Sequence, residues 1–133
     1  MALTMFTKGK RVNGKPTQWL VNANRNVGVF FLNNLIADDL KLVKGMKGML
    51  ACDDTTNEWY VTFGNDLPGF SLRVLSNHDY KTRLCFAGKA AVISILNEIN
   101  AERAATFVIS KRPKVIDGLN WYRILTKKPQ RVN

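Results

Sequence analysis

Two acidic pairs, Asp38-Asp39 and Asp53-Asp54, come closest to a metal chemistry in this 133-residue chain. Clustered carboxylates can hold Mg²⁺ for phosphoryl transfer. Neighbours on a strand point to opposite faces, however, so an extended pair makes a poor clamp. Asp53-Asp54 also precedes Thr55-Thr56-Asn57, where an aspartate carboxylate stabilises a turn by accepting from nearby backbone N–H groups. His78 stands alone in the turn Asn77 to Tyr80, with no base or nucleophile at a useful spacing. Cys52 and Cys85 have no further Cys or His at ligand spacing, so a structural zinc is not expected. No Gly-rich phosphate loop or Gly-x-Ser-x-Gly elbow is present. The expectation is a chain without catalytic residue, metal or cofactor, and a metal-dependent nuclease built on either Asp pair ranks third.

Binding chemistry is better supplied. The chain holds 20 Lys and Arg against 10 Asp and Glu, a formal charge of +10. An excess of that size points to a polyanionic partner, nucleic acid first. The charge is also segregated. Residues 1–37 carry Lys8, Lys10, Arg11, Lys15 and Arg25 and no acid. Residues 38–66 are net negative. Residues 111–133 carry Lys111, Arg112, Lys114, Arg123, Lys127, Lys128 and Arg131 against Asp117. Solubility alone gives little reason for such sorting. The expected nucleic-acid-binding set is Lys8, Lys10, Arg11, Lys15, Arg25, Tyr60, Arg73, Arg83, Lys111, Arg112, Lys114, Tyr122, Arg123, Lys127 and Lys128. The cations would track phosphates, and Tyr60 and Tyr122 would stack bases.

Elements must position these groups, and the clearest signal lies between Glu58 and Ser76. Trp59, Val61 and Phe63 alternate with Tyr60 and Thr62, and Phe70, Leu72 and Val74 alternate with Ser71 and Arg73. Period-2 alternation predicts two half-buried strands. Leu67-Pro68-Gly69-Phe70 can turn the chain between them, which predicts a hairpin. Its six large apolar residues would face the core, and Tyr60, Thr62, Ser71 and Arg73 would form a working face. If Leu84 and Phe86 face the core on the next strand, Arg83 and Cys85 join that face. Near the end, parity puts Trp121 and Arg123 on one side and Tyr122 and Ile124 on the other, without saying which is buried.

Further strands are predicted at 17–22, 27–33, 48–53, 81–86, 105–110 and 119–126, with Val27 to Asn33 apolar on both faces and so central. A short helix with Asn34 as its cap is expected over 34–42. Val92, Ile95, Leu96 and Ile99 share the spacing of one buried helical stripe, which predicts a main helix over about 88–103. The fold class is therefore α+β: a curled antiparallel sheet of about six to eight short strands with that helix on one face. From Glu58 onward the order of three strands, helix and two strands is similar to that of the OB-fold. From Gly48, four strands and a helix resemble the Whirly-type sheet that binds single-stranded DNA. Both likenesses concern element order alone.

One domain is expected over 1–133, with a basic N-terminal arm at about 1–16 and a basic C-terminal tail at about 127–133. Apolar content of 46% fits a packed core. Two separated cysteines fit a reducing compartment, and no apolar run is long enough to span a bilayer. A cytoplasmic protein is expected, or one working inside an infected host cell, with no membrane partner. The leading reading is a non-catalytic nucleic-acid-binding protein, DNA ahead of RNA, single strands ahead of duplex, with weak sequence preference. The alternative is a structural or assembly protein, such as a small viral or mobile-element component. An exposed strand edge would favour a homodimer in either case.

Overall fold

Trp19–Asn24 (β1) and Val29–Leu32 (β2) form an antiparallel hairpin in which Val21 faces Leu32 and Ala23 faces Phe30. All four side chains are buried. The turn is held by Asn24, whose Oδ1 accepts from the backbone N–H of Asn26 at 3.0 Å and of Val27 at 3.4 Å. This comes from a computed structural model, which describes residues 17–77, 80–127 and 129–132, without the side chains of 75–77, 80–83 and 131. Asn34–Asp39 (α1) follows, capped not by Asn34 but one residue earlier: Asn33 Oδ1 accepts from Ile36 N–H at 3.3 Å.

The remaining elements are Lys47–Cys52 (β3), Trp59–Gly64 (β4), Phe70–Ser71 (β5), Arg73–Asn77 (β6), Tyr80–Ala87 (β7), Lys89–Glu98 (α2), Ala104–Ile109 (β8), Lys114–Ile116 (β9), Leu119–Leu125 (β10) and Arg131–Val132 (β11). The strands run side by side in the order β5-β3-β4-β10-β8-β1-β2-β7-β6, with β9 on β10 and β11 on β8, and every pairing is antiparallel. The two ends of that path, β5 and β6, are separated in the chain by Leu72 alone. Leu72 also bonds through its own N–H to the Met46 carbonyl at 2.6 Å, and its carbonyl accepts from Gly45 N–H at 2.9 Å. The sheet therefore curls into a nearly closed barrel, and the described residues include two short helices, α1 and α2.

This topology corrects the expected hairpin. β4 and β5 do not pair with each other; β3 lies between them and bonds to both. Leu72 is buried, but Phe70 and Val74, also expected in the core, are 56% and 41% exposed. The strand over 70–77 spends its bonds closing the barrel, and a closing strand is governed by its two neighbours rather than by its own alternation.

The inner face is filled by Phe30, Phe86 and Phe107, with Val21, Leu32, Val61, Ile109 and Ile124 around them. Phe86 stacks on Phe30 at 5.3 Å between centroids and meets Phe63 edge-on at 6.2 Å. The two helices sit at opposite ends of the β1–β2 hairpin. α1 continues from its open end, and Asp39 accepts from the Trp19 indole N–H at 2.8 Å. α2 lies by the turn end, where Arg25 reaches Asn97, and Glu98 accepts from the Trp59 indole at 2.9 Å. Each helix thus supplies one carboxylate to a buried indole, which answers the need of a buried N–H for a partner. Val92, Ile95 and Leu96 of α2 are buried. The helix ends sooner than 103, because Asn100 turns left-handed (φ 60°) and Ala101 N–H bonds back to the Leu96 carbonyl at 2.9 Å. Among the described residues, no helix is long and apolar enough to cross a membrane.

Barrel closure is tightest at Gly48 and Gly69. A Cβ on Gly69 would run into the backbone carbonyl oxygen of Gly48, and one on Gly48 would lie 3.1 Å from the Phe86 ring. Gly69→Ala should therefore force β3 and the 69–72 segment apart. The expected loss is about 1–3 kcal/mol by chemical denaturation, the usual cost of overpacking; an unchanged midpoint would mean the two strands do not meet this closely.

Candidate nucleic-acid interface

The outer face of β4 and β10 carries the aromatic and cationic side chains of interest. Arg123 stands opposite Tyr60 in the register, and Tyr122 opposite Val61. Parity therefore sends Tyr60, Trp121 and Arg123 outward and Tyr122 inward. Tyr122 is 8% exposed and meets the Trp19 ring edge-on at 5.3 Å. Its ring is committed to the core, contrary to the expectation that it faces a ligand; Trp121, half-buried, is the ring on the outer side. Thr62 also leaves the expected working face: it is buried, and its hydroxyl donates to the Asn120 carbonyl at 2.8 Å.

That bond ties down a second hairpin. β9 pairs with the first residues of β10, Lys114 opposite Trp121, through the turn Asp117-Gly118. Both turn residues have positive φ, 51° and 79°, the geometry of a tight I′ turn that Asp-Gly favours. The hairpin carries Lys114 back over the β4 face, where its Nζ lies 5.8 Å from the centre of the Tyr60 ring. Lys111, Arg112 and Lys114 are all exposed. Lys111 Nζ donates to the Thr17 carbonyl at 3.0 Å and lies 5.9 Å from the Trp19 ring. Lys8, Lys10, Arg11 and Lys15 lie outside the described residues.

The other expected contacts do not gather here. Arg25 Nη2 donates to Asn97 Oδ1 at 2.7 Å and to the Ala101 carbonyl at 3.3 Å. It fastens the β1–β2 turn to the end of α2. Six extended residues of β1 separate that turn from the Lys111 end, about 20 Å of strand. Arg123 is paired with Glu58 at 2.8 Å, and Glu58 also accepts from the Tyr60 hydroxyl at 3.4 Å. With side chains 41% and 27% exposed, the ion pair is worth at most about 1 kcal/mol, but it neutralises Arg123 where it stands. Lys127 borders a cleft of about 660 Å³ together with Glu58, Glu98 and Arg123, a mixed-charge site unsuited to a phosphate track. Arg73 is exposed on β6 opposite Cys85, away from Tyr60. Lys128 and the side chain of Arg83 lie outside the described residues.

One member of each acidic pair is engaged in structure. Asp53 Oδ1 accepts from Thr55 and Thr56 N–H at 2.9 and 3.4 Å, and Asp39 holds the Trp19 indole. Among the described residues, no three Cys, His, Asp or Glu side chains stand close enough to hold a metal ion. His78 lies outside the described residues.

Both cysteines are free thiols, and both are held above their ordinary pKa. For Cys52 burial comes first, then the carboxylates of Glu98, Asp54 and Asp53. For Cys85 burial dominates and the Arg73 guanidinium offsets part of it. Cys85 was expected on the working face; it does point away from Phe86, but it is fully covered. A raised folded pKa leaves stability intact below the ordinary thiol value of 9.0 and erodes it as pH rises towards the folded value, since the unfolded chain loses the proton first. Urea midpoints should therefore fall between about pH 8 and about pH 10, and less in Cys85→Ala. An equal fall in both proteins would remove Cys85 from the titration.

The β9–β10 hairpin is not among the expected elements, although Asp117-Gly118 separates Lys114-Val115-Ile116 from an apolar run, a strong local hairpin pattern. Scans against protein-family models, the curated proteins and the solved structures found no match to this chain.

Proposed function

We propose that this chain is a non-catalytic nucleic-acid-binding protein that takes single-stranded DNA in preference to duplex, with weak sequence preference. One observation carries the reading. Lys114 stands over the outward ring of Tyr60 and opposite Trp121, and two more exposed cations, Lys111 and Arg112, precede it in the same turn, Lys111 bonded to the Thr17 carbonyl. Cations hold a phosphate chain by releasing its counterions, and exposed rings stack unpaired bases. An OB-like reading of the curled barrel belongs to the same proposal, since such barrels present a curved sheet face to oligonucleotides. Labelled single- and double-stranded oligonucleotides, titrated at about 50 and about 200 mM salt, test it. Tight, salt-sensitive binding of the single strand is expected. Affinity indifferent to salt, or no binding at the lower salt, would end the proposal.

The assembly reading has one observation of its own. Val115 on β9 is 66% exposed and lies on the face opposite Ile116, an apolar contact that a second copy of the chain would cover. Light scattering of the nucleic-acid-free protein separates the two readings: a defined large oligomer favours assembly, a monomer or dimer favours the binding module.

A further inference from the structure

A groove of about 360 Å³ opens between the β9–β10 hairpin and the outer face of β3 and β4. Its size falls in the roughly 300–1,000 Å³ range of clefts that enclose small ligands. Tyr60, Ile116, Leu119 and Trp121 line it, giving two aromatic rings and two aliphatic chains. The charged groups at its border are Lys114 and the carboxylates of Asp53 and Asp117.

We infer that this groove receives one unpaired base of the bound strand. The inference rests on the nucleic-acid reading and names the part of the ligand that enters. A phosphate does not suit the groove: burying it against apolar walls costs its hydration, and two carboxylates repel it. A flat, largely apolar base does suit it, and the same carboxylates can accept hydrogen bonds from base N–H groups. The flanking phosphates then lie outside, on Lys111, Arg112 and Lys114. Lys114 has both neighbours at once, since its Nζ stands over the Tyr60 ring. A base inside a duplex has both faces stacked and its edge paired, so it does not enter. Preference for single strands then follows from the shape of the groove rather than from charge, which duplex and single strand share.

The test uses the full chain and two probes of equal length, an oligothymidylate of about 12 nucleotides and an abasic strand with the same number of phosphates. Anisotropy of an end label gives affinity, and tryptophan fluorescence reports stacking. Trp19 and Trp59 are buried, so base-induced quenching should come from Trp121. The oligothymidylate should bind at least about tenfold more tightly than the abasic strand and quench the fluorescence. Trp121→Phe should abolish the quench while keeping the melting midpoint, and Tyr60→Leu should narrow the affinity gap. Equal, salt-sensitive affinity for both probes overturns the groove and leaves polyanion binding standing. A quench that survives in Trp121→Phe overturns it as well. No binding of either probe overturns the nucleic-acid reading, and the groove with it.

Discussion

Alanine at Lys111, Arg112 and Lys114 together should lower the affinity for single-stranded DNA by about a hundredfold at about 0.1 M salt. Each cation that neutralises a phosphate adds roughly 0.7 to the slope of log affinity against log salt for single strands, so three contribute about two units of slope and about two decades at that salt. The three side chains are exposed and sit on a turn and a hairpin edge. Their loss should leave the fold intact, within about 0.5 kcal/mol for each surface substitution. Arg73→Ala serves as the comparison. It removes one charge from β6, away from the corner, and should leave the slope unchanged. Salt titrations of the three proteins, followed by anisotropy, check both halves. A triple variant with the wild-type slope would place the phosphates elsewhere.

Phe86→Ala should cost about 3–5 kcal/mol, the range for truncating a fully buried phenylalanine. Phe86 is 1% exposed, stacks on Phe30, touches Phe63 edge-on and fills the space that Gly48 leaves without a side chain. It therefore joins β2, β4 and β7 to the closing side of the barrel. Domains of this kind are stable by only about 5–15 kcal/mol, so the loss consumes much of the margin. The thermal midpoint should drop by on the order of 15 °C. Scanning calorimetry reads this directly, and a drop of a few degrees would mean that the site collapses without loss.

Charge and local alternation carried most of what was legible in the chain. Strands at β1, β2, β3, β4, β7, β8 and β10 follow from short apolar runs, alternating at β4 and continuous at β2, and α2 follows from the stripe Val92, Ile95 and Leu96. The turn role of Asp53 is legible because the N–H groups that donate to its carboxylate are two and three residues away. What failed is non-local. Nothing in the 58–76 stretch says that β3 will slide between β4 and β5, because pairing is decided by partners distant in sequence. Parity divides Trp121 from Tyr122, yet the choice of inner face waits on Trp19, about a hundred residues earlier. Arg25 looked like a free cation; its partner, Asn97, is 72 residues away. Charge sorting marked 111–114, and those side chains are exposed, since a turn so rich in cations stays solvated wherever it is placed. It marked Arg123 as well, whose partner Glu58 comes from the acidic middle of the chain.

The location of the ligand is measured most directly by a two-dimensional amide NMR titration with the short oligothymidylate. The expected shifts cluster at Thr17, Tyr60, Lys111, Arg112, Lys114 and Trp121, one corner of the barrel, and fade as salt is raised. Shifts centred on Arg25 and the end of α2, or on β6 and Arg73, with the Lys111–Lys114 turn silent, would contradict it.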